Sequence, residues 1–248
     1  MADSPKKAIV IGASSGIGRA VAVELGLRGY EVGLTARREN LLREAAEEIP
    51  TKTIVRTIDI SSPESAAIRL EELIKQMGGV DVIVINSGVR NPNKDLALKP
   101  ELDTIAVNVQ GFVAMATVAL NHFLEKKHGY LAGISSIAGL RGTSNAPAYN
   151  ASKAFVSIYL NGLWQKCIGT GVTVTDIRPG FVDTDMIADI PSKFWVASPQ
   201  KAAGQILDAM FRKKKVAYVT RRYILLSWLI RIIPDTLYYK VYKKMRVQ

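Results

Sequence analysis

Strong soft-metal ligands are scarce in these 248 residues: one cysteine, Cys167, and two histidines, His122 and His128. A single cysteine excludes an internal disulfide, and the three residues do not stand at zinc-ligand spacing, so no metal site is expected. Cys167 reads as a small buried hydrophobe rather than a nucleophile. The opening residues, Met-Ala-Asp-Ser-Pro-Lys-Lys, lack the apolar core of a signal peptide, and the apolar run behind them has the length of a strand. A cytoplasmic protein is expected. The most apolar stretch, residues 223–233, is interrupted by Ser227 and Arg231 and closed by Pro234. It falls well short of the roughly 20 residues that a membrane-spanning helix needs.

Acidic residues are also in short supply, and unevenly so. The formal net charge is +11, from 33 Lys/Arg against 22 Asp/Glu. From Lys201 onward 12 basic residues face 2 acidic ones, whereas positions 1–200 hold 21 basic and 20 acidic. A near-neutral body therefore carries a basic tail. No nucleic-acid recognition motif accompanies the charge, and nucleic acid is not an expected partner.

Apolar residues, at 48%, are numerous enough for one large core. They alternate between two periodicities. Short Val/Ile-rich runs at 8–12, 30–35, 53–58, 80–85, 130–134 and 172–177 read as strands. Between them, helical spacing covers 19–27, 62–77, 100–124 and 149–167. Continuously apolar strands separated by amphipathic helices predict an α/β fold with a doubly wound parallel sheet covered on both faces, and ligands at the carboxyl ends of the strands. No internal repeat or low-complexity linker interrupts this pattern before residue 200.

The first strand ends in Gly12-Ala13-Ser14-Ser15-Gly16-Ile17-Gly18 and a helix follows. Glycine there allows positive φ and lets backbone approach a pyrophosphate, while the helix amides point at it. The second strand ends in Thr35-Ala36-Arg37-Arg38, with no acid to bond the ribose hydroxyls of NAD. Arg37, with Arg38 beside it, offers a planar fork suited to the 2′-phosphate of NADP, so NADP(H) is expected in preference to NAD(H). Tyr149 and Lys153 are four residues apart and share a helical face. An ammonium beside a phenol favours the phenolate, so the sequence predicts that Lys153 lowers the Tyr149 pKa and that Tyr149 serves as acid/base.

Together these elements resemble the short-chain dehydrogenase/reductase family, whose glycine loop is TGxxxGxG; Ile11 stands where the family has threonine. The resemblance covers residues 12–184 and implies a Rossmann-like domain over 1–200, with 201–248 a basic amphipathic extension packed on it. It implies that Asp59 and Ile60 contact adenine and that Asn86-Ser87-Gly88 is the element after the fourth strand, with Ser87 replacing alanine. Ser136, thirteen residues before Tyr149, is implied to bond the substrate oxygen, and adjacent Ser135 reads as a strand-end polar residue. Asn108 matches the helix asparagine that supports a proton relay to the lysine, its other reading being a helix amide bonded to local backbone. The resemblance further implies that Pro179 and Gly180 border the nicotinamide, with Val182 and Thr184 on its carboxamide. Gly12, Ser14, Ser15, Gly16, Ile17 and Gly18 are expected to hold the pyrophosphate, and Lys153 is implied also to hold the ribose.

The implied reaction is hydride transfer between NADP(H) and a carbonyl or secondary alcohol, with Asn108, Ser136, Tyr149 and Lys153 as the catalytic set. The rival reading is an NADP sensor or membrane scaffold of the same fold without turnover. A homodimer or homotetramer is implied by the family's use of helices near 100–124 and 149–167. In the tail, Leu237, Tyr238, Val241, Tyr242 and Met245 fall on one helical face with Lys240, Lys243 and Lys244 away from its centre. Such a helix suits an anionic membrane surface, which would make the protein membrane-peripheral and its substrate lipophilic; equally, it suits covering the pocket or packing on a subunit. Phe194 and Trp195 read as pocket lining or as core.

Overall fold

Alternate residues of each central strand pack into opposite cores, as the pleat of a sheet covered on both faces requires. In β1 (Lys7–Ile11) Ile9 and Ile11 face one layer while Ala8 and Val10 face the other. In β4 (Val82–Ile85) Ile83 and Ile85 divide from Val82 and Val84 in the same way. A computed structural model describes residues 6–190 and 193–238.

Seven strands, all parallel, form one sheet in the order β3-β2-β1-β4-β5-β6-β7. The others are β2 (Glu31–Ala36), β3 (Thr53–Thr57), β5 (Gly129–Ile134), β6 (Val172–Pro179) and β7 (Val216–Val219). One face is covered by α3 (Pro63–Gln76), α5 (Phe112–Lys126) and α6 (Pro147–Lys166), through Leu70, Phe112, Phe123 and Leu160. The other is covered by α1 (Gly16–Leu27), α2 (Glu39–Glu47) and α7 (Pro199–Phe211), through Leu25, Leu42, Ile206 and Met210. Full burial of each such side chain contributes about 1.5–3 kcal/mol. The fold is the doubly wound α/β architecture that the periodicity predicts.

Four features depart from the expected layout. α2, α7 and β7 lie outside the runs that the sequence periodicity predicts. The helix expected over 100–124 is divided: α4 (Leu98–Ile105), a π-helical turn over Ala106–Gly111, then α5. At Gly111 a Cβ would stand 2.3 Å from the Ile60 carbonyl oxygen, so only glycine lets the helix pass that strand end. By length and composition Leu98–Lys126 could cross a membrane, but half of its apolar window is buried inside the domain, where α5 packs on α3 and β5.

Beyond residue 200, α7 packs on α1 and β7 extends the sheet from β6. The chain continues into α8 (Tyr223–Ile232). Of the amphipathic helix expected past Pro234, Leu237 and Tyr238 are helical, whereas Lys240, Val241, Tyr242, Lys243, Lys244 and Met245 lie outside the described residues.

Candidate functional site

The sheet order reverses between β1 and β4, so their carboxyl ends diverge and leave a crevice, the usual ligand position in this architecture. Gly12 follows β1 at φ +89°, and a Cβ there would stand 2.7 Å from the amide nitrogen of Ser87, just after β4. Gly16 opens α1 at φ +56°. The loop is tied down by the Gly12 amide donating to the Thr35 carbonyl at 2.7 Å and by Asn86 Nδ2 donating to the Gly12 carbonyl at 3.0 Å. Gly18 lies behind the loop: its Cβ would meet the Gly12 carbonyl oxygen at 2.0 Å. It is a packing glycine, allowing α1 to lie close on the strand.

One cleft takes in almost all of the residues singled out from sequence. Gly12, Ser14, Ser15, Gly16 and Ile17 line it, with Arg37 and Arg38 from the end of β2 and Asp59 and Ile60 from the end of β3. Asn86, Ser87 and Gly88 follow β4; Ser136, Tyr149 and Lys153 stand beyond; Pro179, Gly180, Val182 and Thr184 follow β6. Arg38 spans the glycine loop, donating from Nη2 to Ser14 Oγ at 3.1 Å and to Ser15 Oγ at 2.9 Å. The anchored cation is thus Arg38, with Arg37 lining the cleft beside it. Asp59 accepts from the Ser61 amide and hydroxyl through Oδ1, at 3.0 and 2.8 Å.

At the other end, Ser136 leaves β5 in extended backbone and caps a short turn, its Oγ accepting from the Ala138 amide at 3.0 Å. That turn lies directly on α6, because at Gly139 a Cβ would stand 2.6 Å from the Ala154 amide nitrogen. Glycine here sets how near Ser136 comes to Tyr149 and Lys153 in the first turns of α6. Lys153 is buried, 5% exposed, and its ammonium donates to the Ile134 carbonyl at 2.9 Å. Its Nζ is 5.9 Å from the centre of the Tyr149 ring. Burial lowers the Lys153 pKa to about 8 against the opposing charge of Asp176.

Tyr149 behaves otherwise than its sequence spacing predicts. Burial pushes its hydroxyl pKa up; the Ser136 hydroxyl and the Arg90 charge pull it down. The lowered pKa expected from the spacing is corrected to a raised one, because desolvation is the largest influence and outweighs the charges around the hydroxyl. Asn108 also differs from expectation. It does not line the cleft: Oδ1 accepts from the Val89 amide at 2.8 Å, and Nδ2 donates to the Val89 carbonyl at 2.9 Å and to Ser152 Oγ at 3.0 Å. The side chain clasps the segment after β4 to α6.

Several site residues gave no signal in the sequence. Val89, Val107, Met186 and Ile187 line the cleft as apolar surface. Arg90 binds Asp189 at 2.7 Å, joining the segment after β4 to the one after β6. Asp176 is buried against the Ser135 hydroxyl and pairs with Arg178 at 2.7 Å. Phe194 and Trp195 neither line the cleft nor enter the core, which corrects both readings of them. They are 43% and 44% exposed and pack against Tyr223 at the start of α8, Phe194 tilted and Trp195 edge-on, Phe194 also meeting Phe181 edge-on.

Comparisons with known proteins agree with this arrangement. The model of the short chain dehydrogenase family matches residues 6–194. An uncharacterized oxidoreductase of Myxococcus xanthus is 37% identical over 190 residues, 75% of each chain, and one of Staphylococcus aureus is 33% identical over 215 residues, 85% of this chain and 93% of the relative. Among solved structures, a phenylalanine-to-tryptophan variant of actinorhodin polyketide ketoreductase with NADPH superimposes with a TM-score of 0.78 at 26% identity, covering 86% of this chain and 95% of that one. Levodione reductase, at 19% identity and a TM-score of 0.77 over 86% and 95% of the two chains, shares the fold. The chain is therefore an oxidoreductase belonging to the short-chain dehydrogenase/reductase family.

Proposed function

We propose that the protein is an NADP(H)-dependent reductase of a lipophilic carbonyl compound. The observation that carries this reading is the single cleft shared by the Gly12–Gly16 cradle and by Ser136, Tyr149 and Lys153. The cradle fits a dinucleotide: Gly12 and Gly16 line it where a Cβ would collide with Ser87 or Thr184, so the wall is bare backbone, and the first amides of α1 open onto it. The chosen dinucleotide is NADP(H), because no carboxylate ends β2 and Arg37 and Arg38 stand there with the hydroxyls of Ser14 and Ser15. When bound, it supplies or accepts the hydride.

The chain's own residues supply the proton and the orientation. Ser136 donates a hydrogen bond to the substrate oxygen, and Tyr149 gives that oxygen its proton. With its pKa above the ordinary value, Tyr149 carries its proton at neutral pH. Lys153, nearby and cationic below about pH 8, stabilises the tyrosinate left behind and holds the ribose. Val89, Met186 and Ile187 give the substrate an apolar surface. A homodimer or homotetramer fits the same reading, because Leu102 and Ile105 of α4 and Phe155 and Ile158 of α6 are exposed apolar residues on the two helices the family uses for assembly. A screen of lipophilic and small ketones with NADPH and NADH tests the proposal. Turnover with NADPH is expected; cofactor binding without turnover on any ketone favours the sensor reading instead.

A further inference from the structure

The orientation of α8 is fixed at both ends. Tyr223 is fully buried; its hydroxyl donates to the Phe194 carbonyl at 2.6 Å and accepts from the Phe181 amide at 3.2 Å. Its ring occupies the space that a Cβ at Gly180 would need. At the other end Arg141, from the segment after Ser136, donates to the Ile230 carbonyl at 2.8 Å and to the Ile233 carbonyl, and pairs with Asp235. Tyr223 and Ser227, one turn apart, are the buried stripe of the helix.

Everything on the outer side of this clamped helix is apolar. Ile224, Leu225, Trp228, Leu229 and Ile232 are exposed, Leu225 by 79% and Trp228 by 68%. The half-exposed rings of Phe194 and Trp195 adjoin them through Tyr223. A contiguous outward apolar face on a helix that cannot rotate inward marks a docking surface. Charge selects the occupant. Arg221 and Arg222, just before the helix, and Arg231 within it are exposed. The two acids after residue 200 are already paired, Asp208 with Arg28 and Asp235 with Arg141. The sequence after Tyr238 adds Lys240, Lys243, Lys244 and Arg246 and no acid. A second copy on this face would set two cationic surfaces against each other, whereas anionic lipid complements them.

We infer that α8 docks on anionic lipid bilayers, lying in the interface with its apolar face among the acyl chains and its flanking cations at the headgroups. Ten residues are too few to span and enough to lie flat, with Trp228 in the position that tryptophan favours at such boundaries. Docking brings α8, whose inner-face Tyr223 contacts the Gly180 floor of the cleft, to the membrane surface. Resting on the proposed reductase reading, this places a bilayer-dissolved carbonyl compound beside the site that reduces it.

The test is flotation of the full chain, without cofactor or substrate, on phosphatidylcholine vesicles with and without about a third phosphatidylserine. Wild type should float with the anionic vesicles at least about tenfold better than with neutral ones, and less as salt rises. Leu225→Ser combined with Trp228→Ser should lose about tenfold or more, with its melting temperature and NADPH binding retained to show that it is folded. Equal flotation of the variant, or no flotation of wild type, overturns the inference. So does a dimer in sedimentation velocity that the double variant dissociates while neither protein floats, which would make a second copy the occupant. None of these readouts requires turnover, so failure of docking and failure of the reductase reading are told apart.

Discussion

The Lys153 ammonium donates to the Ile134 carbonyl at 2.9 Å, so the cation of the site is held by the last residue of β5 and not by a carboxylate. A buried ammonium with so little compensation costs stability. Its folded pKa, about 8, lies below its ordinary value, so the cost is fully present below pH 8 and is relieved as pH rises from there towards 10.5. Lys153→Met should therefore stabilise the protein at pH 7 by about 1–3 kcal/mol while abolishing turnover, and the gain should fade above pH 10. Denaturant unfolding at pH 7 and 10 checks both statements; a destabilised variant at pH 7 would contradict them.

The same group sets an alkaline limit on the reaction. Reduction needs the ammonium to stabilise the tyrosinate, so kcat/KM for a ketone should decline as pH rises through about 8. A profile level to pH 10 would remove Lys153 from the proposed chemistry.

Cofactor choice rests on the arginines at the end of β2. Arg38→Ala removes the guanidinium that spans Ser14 and Ser15 and should weaken NADPH binding about 10- to 100-fold, with NADH affected far less. Titration of both cofactors against Arg37→Ala and Arg38→Ala measures the share of each. Equal losses for NADPH and NADH would end the argument for a phosphate contact.

Asn108 holds Val89 by a reciprocal pair of hydrogen bonds at 2.8 and 2.9 Å. Asn108→Leu leaves both backbone groups of Val89 short of partners and should cost about 2–4 kcal/mol in thermal or chemical unfolding. Asn108→Asp restores only the acceptor and should fall between. A neutral Asn108→Leu would contradict the clasp.

What the sequence disclosed of the site followed from how local its signals are. Tyr149 and Lys153 are one helical turn apart, and Ser136, Gly12 and Arg38 follow strands whose apolar runs are unmistakable. Their meeting in one cleft then follows from the parallel sheet, which delivers every strand end to one edge. Arg90 and Asp189 meet only because two distant segments after β4 and β6 converge, and nothing in either neighbourhood announces it. Tyr149's elevated pKa was hidden for a related reason, since spacing shows which charge is near but not how much water the fold removes. Among the elements, α2 was obscured because its sequence, ENLLREAAE, is mostly polar and buries only Leu42 and Ala45. β7 was obscured because its four residues follow a basic run at the sheet edge. The π-helical turn at Ala106–Gly111 leaves no periodicity long enough to read.

The account turns on Tyr149 as proton donor, and the most direct measurement is NADPH-dependent ketone reduction by Tyr149→Phe beside wild type, with NADPH affinity determined on both. The account predicts cofactor binding within about threefold of wild type and kcat reduced by a factor on the order of 100 or more. Turnover by the phenylalanine variant at the wild-type rate would contradict it.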